Sequence, residues 1–591
     1  MKKESWKYIT PTIIFLAALL VLLALGGPSA NGRFYLDSEG YFRSLPYFQE
    51  RSLTWEKIGD VIWKNPYAGS TRILPNLTFV VQNYFSGFTA SSGRYFNLAL
   101  HSLNIALVFI LLRNILLSTG RREDHSSKGA MIGALLWGLN PFIAESAFYV
   151  IQRMTLLSAT FYLAAVICYL KFRSADGSRR WPWFAAFGFS YTASVLSKEN
   201  GVLILVGIMA LELVLSSHED GRGKALLKKL AVMAGLFILL SLVFALILGH
   251  NPASILGATS SPSQAREFTM GQRVLTQGRV LVHYLSLLAF PAPERISFIM
   301  KYKLSKSLFS PPVTLVAWSV IAALLVAAVR QRRRWPLFSL AVLWFFFNHI
   351  IESSFLMLEM AFVHRNYLPA VLIFLPVGDW VASREWKREG RAIWVLTGVV
   401  LILFGTGIHQ RAQVWGNPGL FWEDAVKKSP GSLRGYINLG ILYDLKGQED
   451  KAFTIYREGE KNAFEEKPGF WGDLYTNMAI ALMDRGRYRE AEPYLDRALE
   501  ITKNEDYLYT MAKLQRSLGN TEKGLTALGY LENSNPYYPD LHLMKALYHL
   551  DSGDLDAARK EVVIEINLYP NKIQARALLD QITRRKRALG R

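Results

Sequence analysis

Acidic, basic and imidazole side chains recur in this sequence beside long apolar runs. Asp37 and Glu39 follow the first run. Glu145 ends the third, and Gln152 and Arg153 open the fourth. Lys198 and Glu199 fill the tight link SKEN. His283 interrupts a short run, and Glu352, Glu359, His364 and Arg365 crowd the link after the ninth. Each would be costly inside a bilayer, so such residues gather where they are used or where they reach water. Taken singly, a charge at a helix end snorkels or anchors. Taken together, acids and bases at the mouths of successive runs make an active site or a transport site.

The elements that position them follow from the apolar pattern. The chain has 591 residues, 51% hydrophobic and 13% aromatic, with a formal charge of +20. That length allows two or more domains. As far as about residue 408 the apolar runs approach the roughly 17–25 residues of a bilayer crossing. We place crossings near 8–25, 98–117, 130–145, 155–170, 181–196, 201–215, 230–248, 313–329, 335–351, 367–381 and 392–408. The sequence GGPSANG after the first run also resembles a signal-peptide cleavage region. The many later spans favour a retained helix.

Much of the positive charge lies in short loops, so it reports topology rather than nucleic-acid binding. With Lys2 and Lys3 in the cytoplasm, three basic clusters also fall inside: Arg121, Arg122 and Lys128; Lys171, Arg173, Arg179 and Arg180; and Arg222, Lys224, Lys228 and Lys229. A crossing at 279–291 would put RQRRRW (330–335) and SREWKREGR (383–391) outside. That run is therefore read as re-entrant or interfacial. The result is an all-α polytopic bundle of about eleven spans, N-terminus inside, with the polar residues named above on the outer face. The single cysteine, Cys168, rules out a disulfide within the chain.

The first outer loop, 26–93, is too long and too aromatic for a simple connector, and its segments suit a bilayer surface. Beyond about residue 410 the pattern becomes helix pairs. YINLGILYDLKGQEDKAFTIY and YTNMAIALMDRGRYREAEPYL share small, turn and aromatic positions, and two weaker copies follow. Gly447, Gly486, Gly519 and Gly553 keep the period of a tetratricopeptide repeat (TPR), about 34 residues, with one longer first step. A partial unit, FWEDAVKKSP, precedes the copies, and the basic tail TRRKRALGR suits a helix C-terminus. The domains expected are a membrane domain at 1–410 and an extracytoplasmic TPR solenoid at 411–591. Such a solenoid presents a concave groove to a peptide or protein.

The chain resembles the GT-C class of membrane glycosyltransferases, in particular bacterial relatives of the transmembrane-and-TPR O-mannosyltransferases. FYLDSEGYF resembles that family's acidic pair, split here into Asp37 and Glu39. STRILPNLTF resembles its Arg-Pro-Leu segment through Arg72, with the proline displaced to Pro75. YFNLALHSLNIALVF carries His101. LNPFIAESAFYVIQRMTLLSATFYL carries Glu145 and Arg153, with Asn140 in place of a histidine. VLSKENGV carries Lys198 and Glu199, and LEMAFVHRNYLPAV carries Glu359, His364, Arg365 and Tyr367.

The resemblance implies transfer of a sugar from a polyprenyl-phosphate-linked donor to a hydroxyl of an exported protein, at the outer face and with inversion. Asp37 or Glu39 would act as base. Arg72, His101, Glu145, Arg153, Lys198, Glu199, Glu359, His364 and Arg365 would bind donor phosphate or substrate. Asp37, Glu39 and His364 could hold a divalent cation, but no tight ligand spacing supports a metal. The few repeats and the HRNYLP segment point to a bacterial inner membrane. The alternatives are a GT-C transferase acting on lipid or polysaccharide, and a non-enzymatic membrane-anchored TPR scaffold. Eleven spans are excessive for an anchor. A transporter would be expected to show an internal repeat of spans.

Overall fold

The computed structural model describes residues 2–44, 51–63, 72–216, 230–236, 239, 268–354, 356–464 and 466–588. The chain divides into two compact units, Met1–Lys428 and Ser429–Arg591. The crossing near 230–248 and the loop with Arg222, Lys224, Lys228 and Lys229 lie largely outside the described residues.

Apart from one isolated bridge, Ser307 with Ser310, the regular elements of the first unit's described residues are all helices. After α1 (Lys2–Gly26), the outer loop holds α2 (Asp37–Ser44), α3 (Trp55–Trp63) and α4 (Ile73–Ser86). Then come α5 (Ala90–Ser118), α6 (Glu123–Gly138), α7 (Pro141–Ala144), α8 (Arg153–Ser174), α9 (Trp181–Val195) and α10 (Ile204–Leu215). The unit continues with α11 (Met270–Ala289), α12 (Val313–Arg330), α13 (Pro336–Asn348), α14 (Leu375–Ala382), α15 (Arg388–Gly416) and α16 (Pro418–Lys428). The partial repeat FWEDAVKKSP thus contributes most of its length to α16, in the first unit.

Five helical stretches are long and apolar enough to cross a membrane: 12–31, 90–118, 150–174, 313–330 and 389–416. They coincide with five of the expected spans. Most of the others are shorter helices that give way to 3-10 turns, as at Glu145–Ala147, Glu199–Leu203 and Val363–Asn366. Prolines at helix starts contribute, as at Pro141 and Pro336. These irregular ends carry several of the ionisable residues. Non-helical backbone is tolerated in such a bundle only where it is buried in protein or lines a cavity.

Most of the segment read as re-entrant or interfacial, 279–289, is the later part of one unbroken helix of 20 residues, α11. Thr269 and Gln272 start it with a reciprocal capping box, ahead of the apolar run itself. It is absent from the five stretches of spanning character. Close helix crossing uses small residues, as between α6 and α14. A Cβ on Gly378 would lie 2.2 Å from the carbonyl oxygen of Gly129, so only glycine permits this approach.

The second unit consists of α17 (Leu433–Asp444) to α24 (Leu555–Leu568) in four antiparallel pairs, and a last helix, α25 (Ile573–Ala588). Within the pairs the members are Leu433–Asp444 with Glu449–Asn462, Pro468–Met483 with Tyr488–Ile501, Glu505–Leu518 with Thr521–Ser534, and Leu541–Asp551 with Leu555–Leu568. Gly447, Gly486, Gly519 and Gly553 turn each pair with φ of 67°, 70°, 77° and 81°, the left-handed region where a side chain is strained. The last turn of α25 carries Arg585, Lys586 and Arg587, favoured there by the helix dipole.

Candidate active site

Asp37 opens α2 beside a strained residue. Leu36 has φ of 55°, unusual for a branched side chain and costing about 1–2 kcal/mol. The surrounding packing holds it. Tyr35 stacks on Phe421 at 4.1 Å and donates its hydroxyl to the carbonyl of Trp415 at 3.0 Å. The fully buried Arg94 donates to the carbonyls of Gly32 and Phe148 at 2.8 and 2.9 Å. Beyond Asp37, Tyr41 donates to Asn76 on α4 at 2.7 Å, and Phe42 packs edge-on against Phe79. Glu39 lies in the same helix, but its side chain is outside the described residues.

A cavity of about 730 Å³ opens at this point. Asp37, Arg72, Lys198, Glu199, Glu352, His364 and Arg365 line it, together with Tyr149 and Gln152. Six of the residues expected to act as base or to bind donor or substrate, Asp37, Arg72, Lys198, Glu199, His364 and Arg365, therefore meet in one place from four stretches of chain. Lys198 Nζ lies 2.8 Å from Glu352 Oε1 and 3.2 Å from Thr155 Oγ1. Arg72 Nε lies 3.4 Å from Glu199 Oε1. Arg365 donates to the carbonyls of Glu359 and Met360 and lies over the Phe362 ring. The imidazole of His364 stacks on that same ring at 5.0 Å. His364 is buried, and its Nδ1 has no hydrogen-bond partner among the described residues.

The charges set the protonation states. Burial by itself would raise the pKa of Glu352, but Lys198 and then Arg365 outweigh it and hold the carboxyl at about 2. His364 is pushed well below its ordinary value by burial, reinforced by Lys198, so its ring is neutral.

Four sequence-predicted residues do not line the cavity. Glu145 is buried in a structural cluster, where Arg411 donates to it twice, at 2.8 and 3.1 Å, and the Trp415 indole once, at 2.8 Å. Arg411 also reaches Asp424. Arg153 is fully buried between the Phe79 and Phe96 rings, each 4.1 Å away, and donates to Asn97, Thr78 and Gln82. His101 is buried in α5 between the Tyr367 hydroxyl at 2.7 Å and the Gly138 carbonyl at 2.9 Å. A carbonyl can only accept, so His101 carries its proton on Nε2 and Tyr367 donates to Nδ1. Glu359 contributes its backbone carbonyl, to Arg273 and Arg365.

Arg94 and Arg273, which donate to carbonyls of irregular backbone, and Arg411, which donates to Glu145 and Asp424, were not among the sequence-predicted residues. Their signal was an arginine within a helical apolar pattern. Among the described residues no group of three His, Cys, Asp or Glu is placed to hold a metal ion.

With this geometry in hand, similarity to known proteins is specific. The family pattern for dolichyl-phosphate-mannose-protein mannosyltransferases matches residues 62–251, taking in Arg72, Lys198 and Glu199 but beginning after Asp37. A tetratricopeptide-repeat pattern matches residues 471–505. The mouse protein O-mannosyl-transferase TMTC3 is 21% identical over 473 residues, which is 72% of this chain and 47% of that protein. The Drosophila melanogaster Tmtc3 is 22% identical over 61% of this chain and 43% of its own length. Human TMTC4 is 29% identical over 25% of this chain and 21% of that protein. The chain thus spans less than half the length of these relatives. Among solved structures, yeast Tom70 is 15% identical, covering 78% of this chain and 92% of that chain at a TM-score of 0.26.

The chain therefore carries a segment similar to the dolichyl-phosphate-mannose-protein mannosyltransferases and, after it, a segment similar to tetratricopeptide repeats. It is an integral membrane protein, similar over 61–72% of its length to the TMTC3 protein O-mannosyl-transferases of Drosophila melanogaster and mouse.

Proposed function

We propose that the protein transfers a sugar from a polyprenyl-phosphate-linked donor to a hydroxyl of an exported protein at the outer face of a bacterial inner membrane, with inversion at the anomeric carbon. The reaction belongs to the first unit and acceptor capture to the groove of the repeats. The observation that carries this reading is the meeting of Asp37, Arg72, Lys198, His364 and Arg365 around one cavity.

In this reaction the acceptor oxygen attacks the anomeric carbon while the Asp37 carboxylate takes its proton. The bond from the anomeric carbon to the phosphate oxygen breaks on the opposite side, and the phosphate leaves with the electron pair. Arg365, Lys198 and Arg72 stabilise the charge that develops there. Arg365 suits this task because its bonds within the loop are to neutral carbonyls, leaving further N–H groups for phosphate oxygens. Neutral His364 offers a ring N–H to an oxygen of the donor. Glu352 stays ionised and holds Lys198 in place.

The test is mass spectrometry of exported proteins from wild-type cells, a deletion strain, and the deletion carrying Asp37→Asn. The expected result is a hexose-sized or larger mass lost from the same proteins in both mutants. No change in any exported protein overturns the protein-acceptor reading in favour of a lipid or polysaccharide acceptor or a scaffold.

A further inference from the structure

The backbone that carries Glu352, His364 and Arg365 has little regular structure between the end of α13 and the 3-10 turn Val363–Asn366. Buried carbonyls and amides there need partners from elsewhere. One face of α11 supplies them. Arg273, Gln277 and Tyr284 lie at positions i, i+4 and i+11 of that helix, which share one side. Gln277 Nε2 donates to the Met360 carbonyl at 2.7 Å. The Tyr284 hydroxyl donates to the Phe362 carbonyl at 3.1 Å and accepts from the Phe362 amide at 2.9 Å.

Arg273 makes the most of these bonds. It is fully buried, and its guanidinium collects four carbonyls from one short loop. It donates to Glu352 at 2.8 Å, to Ser354 and Glu359 each at 3.1 Å, and to Leu358. Only arginine can do this, because its five N–H groups spread over a planar fork while lysine offers three from one nitrogen. Glu352 is consequently gripped at both ends. Its carbonyl accepts from Arg273, and its carboxylate accepts from Lys198 at 2.8 Å.

We propose that Arg273 is a positioning residue that fixes Glu352, and through it Lys198, for binding the donor phosphate. The guanidinium touches no substrate itself. It sets the loop, the loop sets the carboxylate, and the carboxylate sets the ammonium on the cavity wall. The inference rests on the donor reading given above and adds a residue that the sequence did not single out.

The test uses the full chain in nanodiscs and undecaprenyl phosphate as probe. Affinity is measured for the wild type, Arg273→Gln, Lys198→Gln and the double variant. Arg273→Gln is expected to weaken binding about ten-fold in the wild-type background and to add little in the Lys198→Gln background. Equal weakening in both backgrounds overturns the proposal, as does no weakening in either. A residue that only stabilised the fold would not show this dependence on Lys198.

Hydrogen exchange at 352–362 gives a second readout, expected to rise selectively in Arg273→Lys, which keeps the charge but reaches fewer carbonyls. Arg273→Lys replaces Arg273→Gln in the cycle should the latter fail to accumulate. A wild type that does not bind undecaprenyl phosphate sinks the donor reading instead. Unchanged exchange at 352–362 in Arg273→Lys then overturns the inference about Arg273 on its own terms.

Discussion

Lys198 and Glu352 come from distant stretches of the chain and close to 2.8 Å on the wall of the cavity, both of them largely buried. The pair makes the cavity's charge depend on pH in a definite direction. Glu352 titrates at about 2 in the folded protein, below the roughly 4.3 of an unfolded glutamate. Its contribution to stability is fully present above about pH 4.3 and is lost as pH falls through about 2. Melting of the full chain in detergent should therefore show a gap between wild type and Glu352→Gln that is constant from pH 6 to 8 and narrows below about pH 4.3. Removing one partner of a buried pair costs about 3–5 kcal/mol, so the gap at neutral pH should be large. A gap independent of pH would mean that Glu352 is not held ionised by its neighbours.

Asp37→Asn preserves shape but cannot take a proton. Transfer should fall by at least about 100-fold, the lower end of what a positioned general base contributes. Melting should be unchanged, because Asp37 is exposed at the start of its helix. The paired measurement is Glu39→Gln under the same conditions. Full loss in Glu39→Gln with activity retained in Asp37→Asn would move the base to Glu39.

The residues that meet in the cavity were legible in the sequence because a bilayer makes polar residues conspicuous. Lys198, His364 and Arg365 stand out against apolar neighbours, and their order along the chain follows a known class. The same conspicuousness also drew in Glu145, Arg153 and His101. Their polarity is satisfied internally, by Arg411 and Trp415, by Gln82, Thr78 and Asn97, and by Tyr367 and the Gly138 carbonyl. Nothing in a single sequence separates a polar residue aimed at a ligand from one aimed at a neighbour far along the chain. The turn glycines of the repeats were legible for a local reason, since each turn itself requires positive φ. Helix α11 was harder to read, because its buried polar face serves the backbone of a loop some eighty residues later.

The internal role of Glu145 has its own test. Glu145→Gln leaves the buried Arg411 with Asp424 as its remaining charged partner, so the cost should approach but not exceed the about 3–5 kcal/mol of breaking a buried pair outright. The variant should melt at a markedly lower temperature or fail to accumulate in membranes. Affinity for undecaprenyl phosphate in whatever folds should match the wild type. Normal stability with weakened donor binding would return Glu145 to the substrate site.

The repeat unit carries a titration of opposite sign. Asp444 at the end of α17 is raised to about 6, chiefly by burial; the Tyr456 hydroxyl, which donates to it at 2.8 Å, opposes the shift. An unfolded aspartate titrates near 3.9. Between these values the folded state binds the extra proton, so this group's contribution to stability is greatest below about pH 3.9 and falls as pH rises through about 6. Asn at this position keeps an acceptor for Tyr456 and removes the titration. Hydrogen exchange of the buried amides around Leu474 and Met478, followed in the full chain from pH 4.5 to 7.5 and corrected for intrinsic rates, should show wild-type protection declining more steeply than in Asp444→Asn. Parallel profiles would mean that Asp444 titrates as an ordinary surface carboxylate and that burial beside Tyr456 does not shift it.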